Sequence, residues 1–92
     1  MKVERNMEKE FGEFVMLVRS AKNKELLEDF FLGVLTPYER KVLARRIVIV
    51  KRLLAGQTHG EIAGDLKVGV GTVTRGAREL NLGRFKILRM NK

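Results

Sequence analysis

Apolar positions along this chain recur at the spacing of helices. Met7, Phe11, Phe14, Val15 and Val18 fall on one face of a helix expected from Met7 to about Ala21. Residues 1–6 are polar and are expected to fray. Lys22, Asn23 and Lys24 break the pattern. A second helix is expected from about Glu25 to Leu32, with Leu26, Leu27, Phe30 and Phe31 apolar and Gly33 ending it. A third, longer helix follows. Thr36 can cap it, Pro37 has a φ suited to the first turn, and Glu39 can complete a capping box. Gly56, just past Leu54, marks its end. The run Ile47-Val48-Ile49-Val50 has the β-branched character of a strand. The start and stop signals around it still describe a helix, since a strand of that length would be unusual.

The long helix carries two apolar stripes. Leu43, Ile47, Val50 and Leu54 form one; Val42, Arg46, Ile49 and Leu53 form the second, and Val48 lies beyond both. A helix apolar around much of its circumference is buried on several sides. One short chain supplies little cover for it, so an intertwined homodimer is expected. Arg46 interrupts the second stripe, where an arginine either snorkels to solvent or pairs with an anion.

Two shorter helices then meet at a tight turn. Thr58 and Glu61 make another capping box, and Ile62, Ala63 and Leu66 are the inward face of the first. Ala63 is the small residue suited to a close crossing. Val68 and Gly69 supply the turn, with Lys67 at the position where a glycine often stands. Gly71 or Thr72 can open the second helix, with Val70, Val73, Ala77 and Leu80 inward. This is the helix-turn-helix pattern, whose second helix enters the major groove of double-stranded DNA. The candidate DNA-contacting residues are Lys67, Val70, Gly71, Thr72, Thr74, Arg75 and Arg78. The threonines and arginines can reach phosphates and base edges.

Charge strengthens that reading. The chain has 92 residues and a formal charge of +8. Residues 1–32 hold six Lys/Arg and seven Asp/Glu, a balance of −1; residues 33–92 hold thirteen and four, a balance of +9. The positive field sits on the half with the helix-turn-helix, as a polyanion-binding domain requires. Other classes fall away. There is no cysteine and only one histidine, so a disulfide or metal site is not expected. No apolar run approaches a membrane span, and the charged N-terminus lacks a signal-peptide core, so a cytoplasmic protein is expected. Gly69, Gly71 and Gly76 do not have the spacing of a dinucleotide fingerprint. No carboxylate or nucleophile–base pair suggests an enzyme. One all-α domain over residues 1–92 is expected, with dimerisation helices over 7–56, the helix-turn-helix over 58–81 and a basic tail over 84–92. That tail, RFKILRMNK, reads equally as a short helix.

With these elements placed, LTPYERKVLARRIVIVKRLLAG followed by VGTVTRG resembles the tryptophan repressor family. The family pattern is met by Leu35 to Arg40, by Arg46, by Leu53 to Gly56 and by Thr72 to Gly76. The resemblance covers about residues 10–82. It implies an interleaved all-helical dimer that places two helix-turn-helix units about one DNA turn apart. It also implies L-tryptophan as corepressor, with its ring between two arginines that match Arg46 and Arg75 and its carboxylate held mainly by the second. The amino group would meet backbone carbonyls near Gly33 and Leu35, and Thr36 would line the site. The implied ligand set is therefore Leu35, Thr36, Arg46, Arg75, Gly76 and Glu79.

Two departures qualify the transfer. Glu79 stands where the repressor has a serine that helps hold the amino group. A carboxylate there can hold the ammonium more strongly, or repel the ligand carboxylate and pair with Arg75. The segment GQTHGEI is also one residue shorter and resembles a related branch of the family. The shortening leaves His59 and Gly60 where the repressor makes a base contact. Arg46 can alternatively bridge to Glu39 or Glu79, and Arg75 can clamp a DNA phosphate. Two functions follow: a ligand-gated transcriptional repressor, or a ligand-independent DNA-binding or architectural protein of the same fold. A partner-binding helical module with a basic tail is a weaker third.

Overall fold

A computed structural model describes residues 2–90, with side chains from Asn6 onward. Among these residues there are six helices and no strand. They are α1 (Lys2–Ser20), α2 (Lys24–Val34), α3 (Pro37–Leu54), α4 (His59–Leu66), α5 (Val70–Asn81) and α6 (Lys86–Met90). The all-α expectation holds. The chain forms two compact units, one reaching to Tyr38 and the other beginning at Glu39.

In the first unit α1 begins earlier than expected. Its extra turn, Lys2 to Asn6, is helical rather than frayed, because Lys, Glu and Arg are good helix formers. Asn23 caps α2, its side-chain oxygen accepting from the Leu26 N–H at 2.9 Å. Gly33 does not end that helix. The chain becomes extended only at Leu35, ahead of Pro37, and the Leu35 N–H donates back to the Phe31 carbonyl at 3.0 Å. The two helices meet through aromatic rings: Phe14 lies 5.8 Å from Phe30 and 6.3 Å from Phe31. This cluster is only half-buried.

The second unit has a denser centre. Ile49 and Val50 from α3, Ile62 from α4, and Val73 and Leu80 from α5 are buried. Ile49, Ile62 and Val73 form one cluster, and Leu53, Ala63, Leu66 and Val68 pack against it. Each fully buried aliphatic side chain contributes about 1.5–3 kcal/mol. The second half of the β-branched run of α3, Ile49 and Val50, thus lies in the core with α4 and α5, while Ile47 and Val48 stay exposed.

Local chemistry sets the ends of these helices. Gly56 has φ 92°. The Gly56 N–H donates to Leu53 and the Gln57 N–H to Arg52, which makes a Schellman stop for α3. Thr58 and Glu61 form the expected reciprocal capping box at the start of α4. Lys67 ends α4 in the left-handed region at φ 55°. Helix α5 starts at Val70 with Gly69 as N-cap, two residues before Thr72. It starts early because Lys67 already reverses the chain. Val70 is consequently not inward: in the first turn it is 56% exposed.

Candidate functional site

Helix α5 divides its residues sharply. Val73 and Leu80 face the core, and Ala77 is half-buried. Gly71, Thr72, Thr74, Arg75 and Arg78 are exposed. Lys67 is also exposed, at the turn that precedes them. Gly69 offers no side chain to cap α5. The first N–H groups of the helix therefore have no side-chain cap, while the Thr72 N–H donates to the Gly69 carbonyl at 3.0 Å. Thr74 Oγ1 lies 3.4 Å from His59 Nδ1, which links the first residue of α4 to the outer face of α5. Behind this face Val73 and Leu80 anchor α5 in the core. Arg52 pairs with Asp65 at 3.0 Å between α3 and α4. A Cβ placed on Gly76 would lie 3.4 Å from Ile49 Cγ2, so α5 crosses α3 closely at that glycine.

Beside this surface the second unit contains a cavity of about 840 Å³. That is within the range of about 300–1,000 Å³ typical of small-molecule sites. One wall is α3, with Leu43, Ile47 and Val50 apolar and Arg46 charged. The opposite wall is α5, with Thr72, Arg75, Gly76 and Glu79. The fold thus brings Arg46, Arg75, Gly76 and Glu79 of the expected ligand set to one cavity. Leu35 and Thr36 belong to the first unit. Gly71 and Thr72, expected at the DNA, line the cavity as well.

Glu79 pairs with Arg84, whose Nε lies 3.8 Å from its Oε1. It does not pair with Arg75 or Arg46. Among the described residues neither of those guanidinium groups has an ion pair or hydrogen bond. Arg84 and Phe85 also line the cavity, and the sequence reading missed them. They return to it because Gly83 (φ 92°) makes a second Schellman stop. The Gly83 N–H donates to Leu80 and the Arg84 N–H to Glu79. Asn81-Leu82-Gly83 was the available signal for that reversal. The basic segment after it forms α6 over Lys86–Met90, tied to α5 by Arg89 Nη2 donating to the Leu80 carbonyl at 3.0 Å. Residues 91–92 of the expected tail lie outside the described residues. Among the described residues no acidic or histidine cluster could hold a metal, and no helix is long and apolar enough to cross a membrane.

The family model for Trp repressor protein matches residues 9–88. The chain is 41% identical to the Trp operon repressor homolog of Chlamydia caviae over 71 residues, which cover 76% of this chain and 70% of that protein. It is 36% identical to the Vibrio campbellii Trp operon repressor homolog over 73 residues, 78% of this chain and 73% of that one. The Vibrio cholerae counterpart is 38% identical over 72 residues, 77% and 70%.

Proposed function

The chain belongs to the Trp repressor family of transcriptional regulators, which are not enzymes, and we propose that it acts as a cytoplasmic, operator-binding repressor that works as a homodimer. The observation that carries this reading is the outer face of α5. Thr72, Thr74, Arg75 and Arg78 are exposed there, while Val73 and Leu80 anchor the same helix in the core. A recognition helix needs that division: a rigid back, and a face of phosphate and base-edge partners. The positive balance of residues 33–92 supplies long-range attraction to DNA. Lys67, Val70 and the uncapped first turn at Gly71 belong to the same surface.

Dimerisation is supported by what the single chain leaves uncovered. Phe11 is 66% exposed, Leu17 54% and Leu32 60%. A partner chain burying them would complete the half-buried core of the first unit.

The corepressor in this reading is L-tryptophan or a related aromatic amino acid. Guanidinium groups are planar and attracted to aromatic faces, and Arg46 and Arg75 line the cavity with no ion pair among the described residues. Arg75 also suits a carboxylate, and Glu79 an ammonium.

The test is a duplex selected from a random pool and titrated by fluorescence anisotropy. Affinity should fall by about 10³-fold between 50 and 200 mM salt if about six phosphates are contacted. Arg78→Ala should weaken all sequences alike, and Thr72→Ala should change the preferred sequence. Millimolar tryptophan should tighten binding. Tight DNA binding indifferent to tryptophan would favour the ligand-independent reading. No DNA binding at low salt would overturn the assignment of α5.

A further inference from the structure

Phe85 has φ 63°. A bulky residue in the left-handed region is a backbone outlier that asparagine or glycine would relieve. Outliers of this kind persist where the surroundings hold them, and they cluster at ligand sites. The surroundings here are specific. The Schellman stop at Gly83 turns the chain back, the Arg89–Leu80 hydrogen bond ties α6 to α5, and Phe85 lines the cavity as its one aromatic ring. Its neighbour Arg84 holds Glu79 from the same side at 3.8 Å. That distance is loose for an ion pair, and the Arg84 side chain is 70% exposed while Glu79 is 30% exposed. Glu79 can therefore exchange this partner for another cation without crossing the cavity.

We infer that Arg84 and Phe85 are ligand-site residues: Phe85 is a wall for the ring of a bound aromatic amino acid, and Arg84 is an internal cation that the ligand ammonium displaces from Glu79. This rests on the aromatic amino acid reading above and adds to it a determinant of selectivity. The ammonium approaches the Glu79 carboxylate, the Arg84 guanidinium swings to solvent, and the number of ion pairs is conserved. An aromatic acid with no amino group gains nothing from this exchange, because Glu79 keeps Arg84. The site thereby discriminates for the amino group only to the extent that the ligand outcompetes Arg84.

The experiment is calorimetric titration of the full chain with two probes, L-tryptophan and indole-3-propionate. The second keeps the ring and the carboxylate and lacks the ammonium. Phe85→Asn accepts the left-handed backbone and removes the ring. It should weaken both probes by about tenfold, with thermal unfolding at or above the starting temperature. Phe85→Gly, which relaxes the same backbone with no side chain, should do likewise. Arg84→Gln should raise the affinity for tryptophan relative to indole-3-propionate by about two- to fivefold, the range carried by an exposed ion pair. Unchanged affinities in the Phe85 variants overturn the wall. Tighter binding in them does so too, since the ring would then be filling the cavity rather than lining it. An unchanged ratio in Arg84→Gln overturns the exchange. If the unsubstituted chain binds neither probe, the aromatic amino acid reading fails and this inference with it. Binding that only the variants leave unmoved removes the inference alone.

Discussion

The guanidinium of Arg45 donates a 2.7 Å hydrogen bond to the main-chain carbonyl of Leu66. Leu66 is the last residue of α4, where a helix leaves carbonyls without internal partners. The contact joins α3 to the turn of the helix-turn-helix and is partly shielded from water. Arg45→Ala should destabilise the chain by about 1.5–3 kcal/mol, the range for hydrogen bonds to charged groups. Asp65→Ala removes the more exposed Arg52–Asp65 pair and should cost no more than about 1 kcal/mol. Urea unfolding of both variants measures the contrast, and equal losses would contradict it.

Lys67 combines a strained backbone with a useful charge. At φ 55° it occupies a conformation that costs a non-glycine residue about 1–2 kcal/mol. Glycine relieves that strain and loses part of the gain to the entropy of the unfolded chain. Lys67→Gly should therefore raise stability by up to about 1 kcal/mol and weaken DNA binding. Its salt slope should fall by about one phosphate contact per chain. Thermal melting and anisotropy at several salt concentrations check the two halves separately.

Gly76 lies where α5 crosses α3, yet the crossing is not so close that it excludes a methyl group. A Cβ there meets Ile49, Leu53 and Val50 at 3.4, 3.6 and 3.7 Å, ordinary packing distances. Gly76→Ala should be tolerated and should stabilise the helix by up to about 1 kcal/mol through propensity. A larger Gly76→Leu change should destabilise by about 1–3 kcal/mol through overpacking. The position also lines the cavity, so the alanine variant should bind ligand more weakly than its stability suggests. Melting curves and calorimetry on the same samples decide this.

The exposed apolar residues of α1 and α2 give the proposed dimer a measurable signature. Light scattering at micromolar concentration should report a particle of about 21 kDa, twice the 10.5 kDa chain. The unfolding temperature should rise with protein concentration, because association stabilises the folded state by mass action. A stable particle of one chain's mass would remove the dimer, and with it the paired half-sites.

The first five helices were legible in the order of residues because their causes are local, whereas the sixth, over Lys86–Met90, was left open between a helix and a tail. Pro37, the Thr58–Glu61 box and Gly56 each act within a turn or two of chain, and each element they bound is present. The errors at helix ends also have local causes. Gly33 stays helical because Pro37 sets the exit, and α5 starts at Val70 because Lys67 has already turned the chain. Arg46, Arg75 and Gly76 were legible through a motif, and Glu79 as a departure from the serine at that position. What pairs with Glu79 was not. Spacing along one helix points to Arg75, four residues away, whereas Arg84 arrives by a reversal at Gly83. The sequence alone therefore determined the first five helices, the basic half and, apart from Val70, the divided face of α5. Only the tertiary structure decided that α3 supports that face, that Arg45 reaches Leu66, and that Arg84 and Phe85 close one side of the cavity. Those relations depend on where separate helices pack in space, and no period along the chain encodes them.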